Sequence, residues 1–284
     1  MKVTPAVLNT KATNTWCPGC GNFSILTALK KAIVELNIRP EKVVVITGIG
    51  CHGKLGDYIN VNSFHTIHGR VLPLATGIKL ANRELLVIGF AGDGDAYAIG
   101  LGHLPHAARR NIDIKYIVHN NMVFGLTTGQ VTPTTPKGMK TRSTPYGNPE
   151  EPLNPLALVL TSGATFVARG FSGNLSHLTW LFKEAIKHRG FAFIDVLQPC
   201  YTFYNTYDFF RKRVYDLQKE GHDITDFDAA LKKAYEWGER IPIGIFYKVS
   251  KPTFEDEIPQ LQGSPMALRD ISNVDVSKAY GLLK

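Results

Sequence analysis

The segment LLVIGFAGDGDAYAIG, residues 85–100, decides the fold. Its apolar run leads into GDGD at 92–95, and small apolar residues follow. Such a run is typical of a strand buried on both faces of a parallel sheet. A glycine-rich turn between a strand and a helix is a place where backbone amides bind a phosphate group. The segment therefore predicts a strand at 85–90, a phosphate-binding turn and a helix at 97–110.

Strand and helix patterns alternate along most of the chain. Apolar or β-branched runs predict further strands at 43–47, 114–119, 165–169 and 191–197. Apolar residues at helical spacing predict helices at 22–37, 72–82, 155–161 and 175–188. The alternation predicts an α/β fold with an open, mostly parallel sheet and helices on both faces. We expect residues 1–200 to form this domain and residues 201–284 to form a C-terminal extension used in assembly.

Several chemically active residues follow predicted strand ends. They are Cys51, the GDGD turn at 92–95, the asparagines at 120–121 and Cys200. Because ligands of open parallel sheets bind outside the carboxyl ends of the strands, we expect these residues on one edge. The stretch 120–154 is rich in Thr, Pro and Gly, and its length is typical of a functional loop. This edge is the predicted active site.

Asp93 is a carboxylate in a predicted anion site, where it would repel a phosphate group unless a cation lies between them. Mg²⁺ takes oxygen ligands from one or two side chains and from phosphates. Asn121 follows one helix and one strand later and supplies a second oxygen beside Asp93. The pattern predicts a magnesium-bound diphosphate cofactor on residues 92–123. The alternative is a simple turn with a capping Asp93.

The four cysteines are Cys17, Cys20, Cys51 and Cys200, and the first two form a CPGC turn. Four thiolates suit a cubane iron-sulfur cluster or a tetrahedral zinc ion. CPGC alone also looks like a redox dithiol, although that motif follows a buried strand and the residues before Cys17 are mostly polar. We favour the cluster, because an electron carrier is useful beside the predicted cofactor.

Composition limits the classes of partner. The chain is 44% hydrophobic and 20% charged, with a formal net charge of +8. Its basic residues are scattered among acidic ones and do not interleave with aromatics, so we expect no nucleic-acid site, and an acidic protein partner is favoured. No apolar stretch approaches the roughly 20 residues that span a bilayer, and the N-terminus lacks a signal pattern. We therefore expect a cytoplasmic protein that makes no membrane contact.

The sequence resembles the β subunit of 2-oxoacid:ferredoxin oxidoreductases over nearly its whole length. The matching motifs are WCPGCGN at 16–22, TGIGC at 47–51, FHTIHGR at 64–70, LPLATGIKLAN at 72–82, GDGDAYAIG at 92–100, HNN at 119–121, GLT at 125–127 and QPC at 198–200. The resemblance implies the diphosphate-binding type of thiamine-diphosphate fold. It also implies oxidative decarboxylation of a 2-oxoacid, acyl transfer to coenzyme A and electron transfer through a 4Fe-4S cluster to ferredoxin.

The resemblance assigns ligands residue by residue. The implied cluster ligands are Cys17, Cys20, Cys51 and Cys200. The implied Mg²⁺ ligands are Asp93, Asn121 and the carbonyl of Val123. The implied cofactor-binding residues are Ile49, Gly50, Cys51, His52, His68, Gly92, Asp93, Gly94, Asp95, Asn121, Val123, Gly125, Leu126 and Thr127.

Two further residues have implied catalytic roles. His68 would transfer protons at the cofactor or the reacting carbonyl, because histidine titrates near neutral pH. The alternative for His68 is a structural hydrogen bond beside Arg70. Lys54 would bind the substrate's distal carboxylate or a cofactor phosphate, and the alternative is a solvated loop lysine. The sequence leaves the preferred 2-oxoacid open, and Lys54 favours an enzyme that accepts 2-oxoglutarate.

One departure concerns coenzyme A. Relatives that use it read LTKGQ, whereas this chain reads LTTGQ at 126–130, so a lysine that meets a coenzyme A phosphate is replaced by Thr128. Lys137 or Lys140 would compensate. This departure makes the thioester-forming half-reaction a separate question from the decarboxylation.

The resemblance also implies a partner subunit. Family members carry the glutamate that activates thiamine on a second, pyrimidine-binding domain, and this sequence has no second βαβ array. We expect an obligate α subunit and no turnover by the isolated chain. Two alternatives remain: a non-redox thiamine-diphosphate decarboxylase or synthase subunit with a structural Cys₄ zinc site, and an electron-transfer module without thiamine.

Overall fold

Strands and helices alternate in the computed structural model, which describes residues 2–272 and 274–282. The strands are β1 (Val43–Thr47), β2 (Asn62–His65), β3 (Leu86–Gly92), β4 (Lys115–Asn120), β5 (Val123–Phe124), β6 (Gln130–Val131), β7 (Phe166–Phe171), β8 (Ala192–Leu197), β9 (Val214–Asp216) and β10 (Ile241–Lys248). The helices are α1 (Asn22–Glu35), α2 (Val71–Ala81), α3 (Leu104–Arg110), α4 (Pro155–Thr161), α5 (Leu175–Lys187), α6 (Tyr207–Arg213), α7 (Phe227–Ala234), α8 (Phe254–Glu257) and α9 (Ser277–Gly281).

Eight of these strands form one sheet in the order β2-β1-β3-β4-β8-β7-β10-β9. The first six are parallel, whereas β10 runs antiparallel to β7 and pairs in parallel with β9. The prediction of an open, mostly parallel sheet is confirmed. Residues 201–284 contribute β9 and β10 to this sheet. Their use in assembly stays a prediction.

Both faces of the sheet are covered by helices, as predicted. Along β1, Val43 and Val45 pack in the layer that contains α1 and α5, and Val44 and Ile46 pack in the layer that contains α2, α3 and α4. Every residue of β1 is buried, because successive side chains of a strand point to opposite faces and both faces are covered. None of the helices in the described residues combines the length and apolarity needed to cross a membrane.

The predicted helix at 97–110 is wrong over its first half. The chain forms a π-helical turn, Asp95–Ile99, and a 3-10 turn, Leu101–His103, before α3 begins. The Gly100 amide donates to the Asp95 carbonyl at 3.0 Å, and a Cβ on Gly100 would lie 2.5 Å from that oxygen. Such π turns are frequent at functional sites. Here the turn begins at Asp95, the last residue of the predicted phosphate-binding segment.

Other elements also differ from the sequence expectation. β3 extends to Gly92, two residues beyond the predicted end. The sequence does not predict β2, because all four of its residues are exposed and show no apolar alternation. The predicted long loop at 120–154 contains only the β5–β6 hairpin and irregular chain. Buried hydrogen bonds hold this loop in place, including one from Thr135 Oγ1 to the Met122 carbonyl at 2.6 Å.

His188 predicts a pH dependence of stability. Burial, with Lys115 and Lys248 nearby, lowers the pKa of His188 to about 4. Since histidine in an unfolded chain titrates near 6.5, acidification makes the unfolded state bind a proton that the folded state does not bind. The free energy of unfolding therefore falls as the pH drops from 6.5 to 4, by about 3 kcal/mol from this residue.

We expect His188→Gln to remove most of that loss, as measured by urea unfolding at pH 7.0 and pH 4.5. The matched control is His106→Gln, at an exposed position, which should keep the full acid dependence. Identical acid dependence in the two variants would contradict the assignment to His188.

Candidate active site

The carboxyl ends of β1, β3, β4 and β8 surround one cavity of about 490 Å³. All fourteen residues that the sequence assigns to cofactor binding line it. Their common location follows from the parallel sheet, as expected for a ligand at strand ends. Their individual roles remain predictions. Four residues to which the sequence assigns no role also line the cavity: His119, Phe124, Gln130 and Gln198.

The GDGD turn presents backbone to this cavity. A Cβ on Gly94 would lie 2.1 Å from the Phe124 ring, and a Cβ on Gly92 would lie 2.9 Å from His52 Nδ1. Neither position has room for a side chain. Glycine at both positions leaves the backbone accessible, which is the arrangement that close approach of a diphosphate requires.

Asp93 is buried in the wall of the cavity. Its Oδ2 accepts hydrogen bonds from the hydroxyls of Thr132 and Thr134, the latter at 2.8 Å. Burial raises the pKa of Asp93 to about 6, although both threonines oppose the shift. The two threonines lie in the active-site loop, and nothing in their sequence context marks them. A cation beside this buried carboxylate would offset the cost of burying its negative charge.

Asn121 and Val123 follow β4 and line the same cavity. The Val123 amide donates to Asn121 Oδ1 at 3.0 Å, and Met122 between them has a left-handed φ of 63°. One carboxylate with amide and carbonyl oxygens, completed by phosphate oxygens, is a donor set that suits Mg²⁺. The residues present therefore fit a magnesium-bound diphosphate.

Asp95 organises two histidines. Its Oδ1 lies 2.7 Å from His68 Nδ1 and accepts from the Gly69 amide at 2.7 Å, and its Oδ2 lies 3.7 Å from His52 Nε2. Burial would raise the pKa of Asp95, but His52, the Gly69 amide and His68 together hold it below its usual value. A charged Asp95 therefore lies beside both histidine rings at the cavity.

His119 is a site residue that sequence reasoning missed. Its ring is buried, and Nδ1 lies 2.7 Å from Asn22 Oδ1 of the CPGCGN segment. Burial lowers the pKa of His119 well below its ordinary value, so the ring is neutral. The sequence feature that could have identified His119 is its place at a strand end, immediately before the two asparagines. His119 joins the cofactor cavity to the cysteine turn.

The four cysteines are free thiols that lie near one another. A Cβ on Gly125 would lie 3.5 Å from Cys200 Sγ and 3.8 Å from Cys51 Sγ. Burial raises the pKa of Cys20 to about 11, and the neighbouring Cys200, Cys51 and Cys17 add to the shift. The fold thus brings together cysteines that are far apart in the sequence, since Cys17 and Cys200 are separated by 183 positions.

The thiols approach without converging on one point. Among the residues that the structure describes, no three His, Cys, Asp or Glu side chains are placed to hold a single metal ion. A tetrahedral zinc site needs all four sulfurs about 2.3 Å from one centre. A cubane spreads its thiolates over separate iron atoms. The choice between the cluster and zinc therefore stays a prediction.

Lys54 lies outside the main cavity. It lines a neighbouring cavity of about 370 Å³, and Ile49, Gly50 and Leu126 line both cavities. Its Nζ donates to Thr15 Oγ1 at 3.0 Å. Of the two residues with implied catalytic roles, His68 therefore lines the cofactor cavity and Lys54 lies beside it.

Comparison with known proteins agrees with this geometry. The family model described as "Thiamine pyrophosphate enzyme, C-terminal TPP binding domain" matches residues 48–196. A second model, for the C-terminal part of the pyruvate ferredoxin oxidoreductase beta subunit, matches residues 199–263. The fold and the site thus define the diphosphate-binding part of a thiamine pyrophosphate enzyme.

Relatives narrow the class. A 2-oxoacid:ferredoxin oxidoreductase subunit beta of Saccharolobus solfataricus is 50% identical and covers 95% of this chain and 91% of its own length. Subunit beta of 2-oxoacid:ferredoxin oxidoreductase 1 of Aeropyrum pernix is 46% identical, with 97% and 92% covered. The chain belongs to the β-subunit family of 2-oxoacid:ferredoxin oxidoreductases.

A solved structure extends the likeness to three dimensions. It is a 2-oxoglutarate:ferredoxin oxidoreductase from Magnetococcus marinus with 2-oxoglutarate, coenzyme A and succinyl-CoA bound. The TM-score is 0.91 at 38% identity, with 99% of this chain and 96% of that chain covered. At this level of identity the likeness extends beyond a shared fold.

Proposed function

We propose that this β subunit, with an α subunit, converts a 2-oxoacid and coenzyme A into acyl-CoA and CO₂. Each turnover would release one proton and two electrons, which reduce two ferredoxin molecules singly. The observation that carries the proposal is Gly125, which lines the cofactor cavity and lies beside the sulfurs of Cys51 and Cys200. The cavity and the thiol group thus share a wall, as electron transfer between two cofactors requires.

The proposed cofactors are thiamine diphosphate, Mg²⁺ and a 4Fe-4S cluster. When bound, thiamine diphosphate supplies a carbon nucleophile and electron sink, and the cluster supplies one-electron transfer. Asp93, Asn121 and the Val123 carbonyl would hold Mg²⁺. The cluster would be bound by Cys17, Cys20, Cys51 and Cys200. Thiolate ligation of this kind favours a cytoplasmic location, where thiols stay reduced.

His68 is the proposed catalytic group of this chain. Its Nδ1 is buried 2.7 Å from Asp95 Oδ1, so Nε2 is the nitrogen that remains for proton transfer. The side chain is one-third exposed at the cavity mouth, where a substrate carbonyl would enter. Phe124 packs beside the ring at a centroid distance of 6.0 Å. This placement supports catalysis over a purely structural role beside Arg70.

Lys54 is the proposed anchor for a distal carboxylate. Its cavity shares a wall with the cofactor cavity, so a substrate longer than pyruvate would extend toward it. We expect Lys54→Met to lower kcat/KM for 2-oxoglutarate about 10-fold or more and to change kcat/KM for pyruvate less than 3-fold. The loss corresponds to about 1.4 kcal/mol of transition-state binding.

The measurement is kcat/KM for both acids in the α–β complex. Lys30→Met, on α1, is the matched control and should change neither value. Equal losses for the two acids would assign Lys54 to a cofactor phosphate and contradict the anchor.

Arg142 is the proposed substitute for the lysine missing at Thr128. Its Nη1 donates to Thr128 Oγ1 at 2.7 Å, so a positive charge reaches this position from the active-site loop. Lys137, proposed from the sequence, is paired with Glu151. We expect Arg142→Gln to raise the KM for coenzyme A about 10-fold and to leave the KM for the 2-oxoacid unchanged.

The comparison is a Lys137→Ala, Lys140→Ala double variant, which we expect to retain normal use of coenzyme A. If the double variant raises the KM for coenzyme A and Arg142→Gln does not, the lysines and not Arg142 replace the missing lysine. The bound molecules named for the Magnetococcus marinus structure support a coenzyme A step in this family.

An α subunit would cover the mouth of the cavity. Phe64, Ile67 and Ile99 are apolar side chains near His68 that are exposed in this chain, Ile67 by 73%. Burying such side chains against a partner is favourable. The two family models meet between residues 196 and 199, close to the proposed boundary at residue 200. Use of residues 201–284 in assembly is a separate part of the proposal.

The direct test is 2-oxoacid-dependent reduction of ferredoxin by the anaerobically purified α–β complex. We expect reduction to require coenzyme A, thiamine diphosphate and both subunits, with acyl-CoA as product. Decarboxylation without ferredoxin reduction would instead support the non-redox decarboxylase. Turnover by the isolated β chain would contradict the need for an α subunit.

A further inference from the structure

Gln198 joins the cofactor cavity to the thiol group. Its side chain lines the cofactor cavity and is only 2% exposed. The same side chain reaches Cys20, because Nε2 donates a hydrogen bond to Cys20 Sγ at 3.5 Å. Among residues 2–272 and 274–282, no other side chain donates to a cysteine sulfur. In the QPC motif at 198–200, the cysteine is an implied cluster ligand, whereas the glutamine has no assigned role.

The position of this side chain is fixed from two sides. The Gln198 backbone amide donates to the Asn120 carbonyl at 2.9 Å, which continues the β4–β8 pairing beyond the strand ends. A Cβ on Gly21 would lie 2.6 Å from Gln198 Cγ, so the CPGCG turn at 17–21 packs directly on the side chain. The amide group is therefore held against the cysteine turn.

The nitrogen of the amide, and not its oxygen, faces the thiol. Nε2 also donates to the Pro199 carbonyl at 3.3 Å, so its two hydrogens have two acceptors. With the amide turned over, Oε1 would face that carbonyl, and two acceptors repel each other. A thiolate bound to iron is likewise an acceptor only. Both neighbours therefore favour the same orientation, with an N–H directed at Cys20 Sγ.

A hydrogen bond to a cluster sulfur changes how readily the cluster is reduced. Cys20 lies close to Cys17, Cys51 and Cys200, and four thiolates are the donor set of a 4Fe-4S cluster. Reduction adds an electron whose charge is carried partly by the sulfurs, and an N–H donor stabilises that charge. Donors to the sulfurs therefore raise the reduction potential.

We propose that Gln198 acts through Cys20 as a positioning residue that raises the reduction potential of the cluster. The raised potential favours electron uptake from the cofactor in the adjoining cavity. The inference rests on the proposed function, because it requires a 4Fe-4S cluster at the cysteines.

The test is a redox titration of the α–β complex, followed by electron paramagnetic resonance of the reduced cluster. We expect Gln198→Met, which keeps the length of the side chain without its donor, to lower the midpoint potential. The expected size is about 10-fold in the equilibrium for reduction, or about 59 mV for one electron. The fraction of the cluster that a 2-oxoacid reduces should fall as well. Iron and sulfide content should stay as in the unaltered complex.

Gln218→Met is the matched control. Gln218 is a partly buried amide that donates to the Ile245 carbonyl at 2.8 Å, near the β9 edge of the sheet. Its replacement removes an equivalent hydrogen bond and should leave the midpoint potential unchanged. Gln198→Asn, whose shorter side chain withdraws the amide from the sulfur, is the second variant and should also lower the potential.

Resonance Raman spectra of the unaltered complex keep the inference testable where a variant does not assemble. Exchange into D₂O should shift the iron–cysteine stretching bands, because an exchangeable N–H bonds to the sulfur. An absent shift would overturn the inference and leave the proposed function standing. So would a midpoint potential that Gln198→Met and Gln198→Asn leave unchanged at normal iron content. An unaltered complex without iron at the cysteines would overturn both.

Discussion

Asp93→Asn is expected to lower turnover of the α–β complex about 1000-fold and to weaken Mg²⁺-dependent binding of thiamine diphosphate at least 100-fold. The loss in turnover corresponds to about 4 kcal/mol. The reason is that an amide removes the negative charge that faces the metal, whereas the hydroxyls of Thr132 and Thr134 can still donate to the remaining oxygen. The fold should therefore be retained.

The measurements are calorimetric binding of thiamine diphosphate with Mg²⁺ and steady-state ferredoxin reduction. Asp228→Asn, in the exposed first turn of α7, is the matched control and should behave as the unaltered protein. Unchanged thiamine diphosphate affinity in Asp93→Asn, with normal thermal unfolding, would place the diphosphate elsewhere.

Cys51→Ser is expected to abolish ferredoxin reduction, by at least 1000-fold, and to lower the iron and sulfide content of the complex. Cys51 Sγ and Cys200 Sγ lie beside the same point at Gly125, and a serine hydroxyl is a poor substitute for a thiolate at iron. Thiamine diphosphate binding is tested in Cys200→Ser, where it should stay within about 3-fold of normal, because Cys200, unlike Cys51, does not line the cofactor cavity.

Cys200→Ser serves as the parallel variant, and we expect the same loss. Electron paramagnetic resonance of the dithionite-reduced complex reports the cluster, and circular dichroism checks that both variants are folded. Normal ferredoxin reduction in either variant would contradict the assignment of these cysteines. If both variants lose thiamine diphosphate binding as well, the cysteines hold the site together structurally.

The fold could be predicted from the sequence because its strands are buried on both faces. The limits of β1 match the sequence expectation residue for residue, since every position is apolar or β-branched up to Thr47. The exposed edge strand β2 carries no such signal. The interruption before α3 depends on the contact between Gly100 and the Asp95 carbonyl, and spacing alone does not reveal it.

The site could be located for the same reason, because parallel strands bring their carboxyl ends to one edge. The partners behind that edge could not be predicted. Thr132 and Thr134 reach Asp93 from a long loop, and His119 on β4 contacts Asn22 at the start of α1. Arg142 meets Thr128 only after the loop has folded back. Such contacts depend on tertiary structure and leave no periodicity in the chain.

The most direct test of the central claim is the metal and cofactor content of the anaerobically purified α–β complex. Iron, acid-labile sulfide, zinc and thiamine diphosphate are measured together, and the visible spectrum is followed after addition of a 2-oxoacid. A ferredoxin-linked oxidoreductase predicts about four iron and four sulfide per Cys₄ site of the β chain, bound thiamine diphosphate and bleaching by the 2-oxoacid. Zinc at the cysteines with thiamine diphosphate present, and no bleaching, would contradict the electron path proposed for this protein.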